Sequence, residues 1–219
     1  MNELQIKLPT NTWVVASWEQ YVQAIEDPAY EKAKSYYYNG QLRIEMTPLG
    51  HDHSRDHTII LFAVNLFATI KGINLNGMDN CTFRKTGVKD CQPDVAYYLG
   101  ENADVIRWGT SIIDLDSYPP PDLVIEVANT SLADDKGEKR LLYEDLNVTE
   151  YWIVDVQNVE IIAFAIADGG SRRITQSQVL PLTISLLEEA LHRARQMNQA
   201  QVGAWLLAKM QAQNIQEQS

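Results

Sequence analysis

Apolar residues recur at helical spacing through the first third of the chain: Ile59, Ile60, Ala63, Val64, Phe67 and Ile70. That period predicts a long helix over about 53–70, with Gly72 as its C-terminal cap and a loop over 48–53 before it. Ser17-Trp18-Glu19-Gln20 has the form of a capping box and predicts a short helix to about Glu26. Asn39-Gly40 lies between two strand-like runs within 35–46 and predicts a hairpin with a type I′ turn. In its second strand Leu42, Ile44 and Met46 alternate with Gln41, Arg43 and Glu45, which puts Glu45 on the polar face.

Strands are predicted over 75–83, 94–99, 123–128, 150–156, 159–167 and 172–179, with turns at Gln157-Asn158 and Gly169-Gly170. The segment 100–121 ends in three prolines and reads as a long insertion or lid. Helices are predicted over 135–146 and from 186 to about 213. The second carries an apolar stripe of Leu187, Leu191, Ala194, Val202, Trp205 and Leu206. Such a helix either docks on the core or pairs with a second subunit, which makes a homodimer one expectation. The expected organisation is one domain over 1–185 and a helical extension over 186–219.

Composition narrows the classes. The chain has 219 residues, 45% hydrophobic, enough for one domain with a sizeable core. A net charge of −11 argues against a nucleic-acid coat protein, which would be basic. It leaves room for an enzyme whose site holds cations. The two cysteines, Cys81 and Cys91, form no paired metal-binding motif and read as reduced thiols. No basic leader precedes an apolar segment and no apolar run approaches about 18 residues, so the expected location is the cytoplasm, with no membrane partner.

Two carboxylates stand in or beside apolar strand-like runs: Asp94 in Gln92-Pro93-Asp94-Val95, and Glu126 in Pro121-Asp122-Leu123-Val124-Ile125-Glu126-Val127. An unpaired carboxylate in a buried sheet is expensive. If the two strands are neighbours, both acids can converge on one hard cation, Mg²⁺ or Mn²⁺, in a site suited to phosphodiester chemistry. Asp135, Lys139 and Tyr143 fall at i, i+4 and i+8, so Lys139 could project towards Glu126 from the next helix.

The order of Asn-Gly-Gln-Leu-Arg-Ile-Glu-Met-Thr-Pro, His53 and Gln-Pro-Asp-Val-Ala-Tyr resembles the putative restriction endonuclease family of bacterial proteins. So does Pro-Asp-Leu-Val-Ile-Glu-Val followed by Asp135, Gly137-Glu138-Lys139, Tyr143 and Glu150-Tyr151-Trp152-Ile153-Val154-Asp155. That family lies in the PD-(D/E)XK nuclease superfamily, and the resemblance spans about 36–167. It implies an α/β (α+β mixed) fold: a restriction-endonuclease-like core with a mixed central sheet flanked by helices, here followed by a C-terminal helix. It also implies a metal-dependent endonuclease acting on DNA with Mg²⁺ or Mn²⁺. Asp94 matches the PD aspartate and Glu126 the acidic residue of (D/E)XK. Ala128 stands where the usual Lys would be, and Lys139 occupies the place of a Lys migrated to the following helix. Glu45 matches an early acid that binds metal directly or through water, and His53 a His before the long helix.

Each assignment has a plainer rival. Asp94 could start its strand through an Asx-type turn, and Glu126 could belong to a buried ion pair. Glu45 could be solvated, and His53 could be an ordinary residue of the first helical turn. Asp135–Lys139 could be a surface pair worth a few tenths of a kcal/mol. Tyr143 reads as core packing, and Asp122 and Asp155 as strand-end residues. Arg84, Lys85 and Lys89 could meet a nucleic-acid backbone or form a solvated loop. The alternative function is a catalytically silent nuclease-like fold used as a binding or regulatory module, and a third is an interaction protein assembled through its late helix.

Overall fold

A computed structural model describes residues 8–46 and 50–217. In chain order the first elements are β1 (Trp13–Val15), α1 (Trp18–Ile25), β2 (Lys34–Tyr38), β3 (Gln41–Glu45), α2 (His51–Lys71), β4 (Leu75–Asp79), β5 (Phe83–Lys85) and β6 (Lys89–Cys91). There follow β7 (Val95–Leu99), β8 (Ile113–Asp114), β9 (Leu123–Ala128), α3 (Leu132–Lys136), α4 (Glu138–Asp145), β10 (Glu150–Asp155), β11 (Glu160–Ala167), β12 (Gly170–Ile174), α5 (Ile184–Ala194) and α6 (Gln199–Glu217). The described residues form two units: 8–46, 82–92 and 111–117 make one, and 50–81, 93–110 and 118–217 the other.

The first unit is a six-stranded sheet in the order β1-β3-β2-β6-β5-β8, parallel only between β5 and β8. Asn39 and Gly40 both have positive φ, 49° and 71°, as the expected type I′ turn requires. Helix α1 opens on the expected capping box, Ser17 with Gln20. Its Trp18 and Tyr21 rings pack on Tyr37 of β2 with centroids 5.2 Å apart in both cases. Strand β3 departs from simple alternation, because Arg43 is buried as well as Leu42 and Ile44. Part of the segment read as an insertion is strand β8, whose Ile113 pairs with Phe83 and is buried.

The basic residues of β5 and β6 have definite places. Arg84 pairs with the buried carboxylate of Asp90 and lies over the Trp18 ring. Lys85 and Lys89 are cross-strand partners. Burial pushes the Asp90 carboxyl up to about 6, against the pull of Arg84. Between about pH 4 and 6 the folded form therefore keeps a proton that the unfolded chain has lost. Stability from this group is present below that window and falls as pH rises through it. Relative to Asp90→Asn, wild type should lose roughly 2 to 3 kcal/mol of unfolding free energy between pH 4 and 7. Urea unfolding of both proteins across that range checks this; a constant difference would refute it.

The second unit is a six-stranded mixed sheet, β12-β11-β10-β9-β7-β4, with β9 and β10 parallel and the other neighbours antiparallel. All residues of β9 and β10 are buried, which explains their near-continuous apolar sequence. Ile125, Val127, Trp152 and Val154 belong to one core with Ile60, Val64 and Phe67 of α2, Leu187 and Leu191 of α5, and Val202 and Leu206 of α6. The opposite set of positions, with Glu126 and Tyr151, meets α3 and α4. The late apolar stripe is thus spent inside this unit. No helix among the described residues is long and apolar enough to cross a membrane.

Three predicted elements are interrupted, each for a local reason. The run 75–83 stops at Asp79 because Asn80 turns left-handed, φ 53°; the chain then enters the other sheet at Phe83. The helix expected over 135–146 begins earlier and breaks at Gly137, where an added Cβ would sit 3.0 Å from the Ala133 carbonyl oxygen. The late helix divides at 195–198, where Asn198 and Gln201 exchange backbone-to-side-chain hydrogen bonds of 3.1 and 3.0 Å and so form a new N-terminal cap. Strand β12 also sits earlier than expected, because the tight turn is Asp168-Gly169.

Candidate active site

Strands β7 and β9 run antiparallel with Val95 opposite Ile125. Asp94 directly precedes β7 and Glu126 lies within β9, so the same register carried on by one residue would set the two acids opposite each other. Asp94 is 4% exposed and Glu126 2%. The Asp94 Oδ2 accepts the Val127 backbone N–H at 2.7 Å, and the Nε2 of His53 lies 3.5 Å from the same oxygen. Asp94 therefore reaches across to the neighbouring strand. His53, in the first turn of α2, is buried, and its Nδ1 meets no hydrogen-bond partner among the described residues.

Glu126 is held from α4. Its Oε1 accepts the Tyr143 hydroxyl at 2.7 Å, and the Lys139 ammonium stands 3.7 Å from the same oxygen. Lys139 is 1% exposed and lies 3.0 Å from the Oδ1 of Asp135, which is fully buried. This overturns the surface-pair reading of Asp135–Lys139. The Oδ2 of Asp135 accepts the Ser131 hydroxyl at 2.6 Å, and its backbone carbonyl accepts the Tyr151 hydroxyl at 3.0 Å. The Tyr143 and Tyr151 rings pack at 4.8 Å.

Asp94, Glu126, Lys139 and His53 thus all fall in the second unit. Glu45 falls in the first, where its Oε1 takes the Nε of Arg43 at 2.8 Å. Asp122, expected to cap the start of its own strand, instead accepts the N–H of Leu99 at the end of β7 at 2.7 Å, and Asp155 accepts Gln157 and Asn158 N–H at the end of β10. Sequence reasoning missed the contact of Tyr143 with Glu126, the role of Ser131, and His57. His57 is one turn after His53 and lies 3.4 Å from Asp79 Oδ1, with its ring edge-on to that of His53 at 5.9 Å. The i, i+4 spacing of the two histidines was the available signal.

The cluster gathers three buried carboxylates, Asp94, Glu126 and Asp135, with one buried ammonium, Lys139. Like charges so placed are costly without a further cation. Among the described residues no group of three or more His, Cys, Asp or Glu is arranged to hold an ion. Two buried carboxylates on neighbouring strand segments, Asp94 and Glu126, are nevertheless of the donor type that suits Mg²⁺ or Mn²⁺, which keep most of their positions for water and other oxygen ligands. The residues present fit such an ion.

A model of the Uma2 family, described as a putative restriction endonuclease, matches residues 18–200. A structure from Anabaena variabilis, described as a putative nuclease belonging to DUF820, superposes with a TM-score of 0.56 at 14% identity. The superposition covers 80% of this chain and 98% of that one. At that identity the likeness is one of fold. No curated protein matches.

Proposed function

The chain belongs to the Uma2 putative restriction endonuclease family, and on that premise we propose that it is a divalent-metal-dependent endonuclease that hydrolyses phosphodiester bonds in DNA. The observation that carries this reading is the Lys139 ammonium 3.7 Å from Glu126, with the Asp94 carboxylate hydrogen-bonded to the N–H of Val127, the next residue along β9. Asp94 and Glu126 would hold Mg²⁺ or Mn²⁺. When bound, such an ion supplies Lewis acidity towards the phosphate and lowers the pKa of water. The Val127 N–H and His53 fix the Asp94 carboxylate, and Tyr143 fixes that of Glu126. Lys139 brings positive charge to the place where the phosphate gains negative charge, and holds the attacking water by a hydrogen bond.

The test is cleavage of supercoiled plasmid and of single-stranded DNA with Mg²⁺ or Mn²⁺ at low salt. Low salt matters because a chain of net charge −11 has little general attraction for DNA. Wild type should nick or linearise the plasmid, and Asp94→Ala should lose activity by at least about 10³-fold. Equal cleavage by the two proteins would sink the proposal. Tyr143→Phe should keep the fold while weakening Mn²⁺ binding by about 10-fold, because it frees the Glu126 carboxylate to reorient. Calorimetric titration measures that change, and unchanged affinity would remove Tyr143 from the site.

The acidic charge favours a second reading, a catalytically silent module on the same fold. Wild type that binds neither Mn²⁺ nor DNA, and cleaves nothing, would support it.

A further inference from the structure

We infer that Asp135 is the positioning residue that holds Lys139 for the reaction, anchored in turn by Ser131, and that it is not a metal ligand. The inference rests on the nuclease reading above for its meaning, but on separate contacts for its support. If Lys139 were only the counter-ion of Glu126, its ammonium should lie at ordinary ion-pair distance from that carboxylate, about 2.7 to 2.9 Å. It lies 3.7 Å from Glu126 and 3.0 Å from Asp135. The tighter anchor is therefore Asp135, and the ammonium is held beside Glu126 without being closed onto it.

The Oδ1 of Asp135 lies 3.0 Å from the Lys139 ammonium, an ionic contact outside hydrogen-bond geometry, and its Oδ2 takes the Ser131 hydroxyl at 2.6 Å. Tyr151 holds the same residue by its backbone carbonyl, tying it to β10. The backbone break supports the arrangement: Asp135 ends near the close of α3, Lys139 sits in the first turn of α4, and Gly137 between them is in a conformation crowded for a side chain. An uninterrupted surface helix would also bring the pair together. Here the pair is buried and lies beside a third charged group, Glu126, which a surface pair has no reason to do.

Asp135→Asn keeps the shape and an acceptor for Ser131 but removes the charge that holds the ammonium. Its kcat on plasmid DNA should fall about 10- to 100-fold, with KM and the Mn²⁺ dissociation constant within about twofold of wild type. Ser131→Ala should give the same pattern at smaller amplitude, and decides the matter if Asp135→Asn does not fold. A second readout needs no activity: the rate at which acetic anhydride labels Lys139 in the metal-free protein, followed by mass spectrometry. Loss of the anchor should raise that rate several-fold in both variants under conditions where both remain folded. Unchanged kcat, or a kcat loss matched by lost Mn²⁺ affinity, would overturn the inference, as would unchanged labelling. If wild type cleaves no DNA, the nuclease reading fails while the labelling still decides whether Asp135 holds Lys139.

Discussion

Lys139→Met should lower the unfolding free energy by about 3 to 5 kcal/mol at neutral pH and reduce DNA cleavage by two to three orders of magnitude. The side chain is 1% exposed and is the cation that approaches both Glu126 and Asp135. Methionine matches its length, so the volume change is small and the effect isolates the charge. Removing one partner of a buried ionic group leaves the others desolvated and mutually repelling, which costs far more than the pair contributes against an apolar replacement. Added Mn²⁺ should recover part of the stability, because a cation bound at Asp94 and Glu126 relieves the same repulsion. It should not recover cleavage, because the charge beside the phosphate is still missing. Chemical denaturation with and without Mn²⁺, beside a plasmid-nicking assay, reads both effects. Wild-type stability in Lys139→Met would mean that the carboxylates are satisfied without it, and the site would need rebuilding.

What was legible in the sequence follows from which forces are local. Strands β7, β9, β10 and β11 announced themselves through largely apolar runs, and the cost of a carboxylate inside or beside such a run singled out Asp94 and Glu126. In the structure Asp94 accepts the Val127 N–H and Lys139 approaches Glu126. The breaks at Asn80, Gly137 and Asn198 were less visible, because the period of apolar positions runs on across them. Each is set by one backbone conformation or cap, and only Asn198-x-x-Gln201 leaves a pattern. Tyr143 packs as its sequence reading expected, but its hydroxyl contact was hidden for a different reason. An aromatic ring that packs and a hydroxyl that donates are one residue in the sequence, and only the position of Glu126 Oε1, 2.7 Å away, shows that both occur. The mixed fold with flanking helices was foreseen, whereas the division of the chain into two sheets came from pairings between distant segments, such as β8 with β5.

Glu150→Ala should be the most damaging of the substitutions outside the site, at about 4 kcal/mol or more, and it should leave the chemistry nearly intact. Glu150 carries the same signature as Glu126: a carboxylate, fully buried, in an apolar strand. Its surroundings differ. Trp152 Nε1 and Ser177 Oγ donate to one oxygen at 2.9 and 2.8 Å, and the backbone N–H groups of Gln178 and Val179 donate to the other at 2.5 and 3.3 Å. Four donors surround this carboxylate and no second carboxylate is among its partners. It ties β10 to the 177–179 segment and has no need of an added cation. Alanine would strand those four donors in the interior, at about 1 to 3 kcal/mol each, less whatever entering water recovers. Glu150→Gln keeps one acceptor oxygen and should fall about midway. Cleavage measured at a temperature where each variant is folded should stay within a few-fold of wild type, while Glu126→Gln should show the reverse, a modest stability change with cleavage lost. On the proposed reading, a buried acid in a strand is a candidate cation ligand only where other acids lie close to it, and a Glu150→Ala variant that unfolds at the wild-type midpoint would undo that distinction.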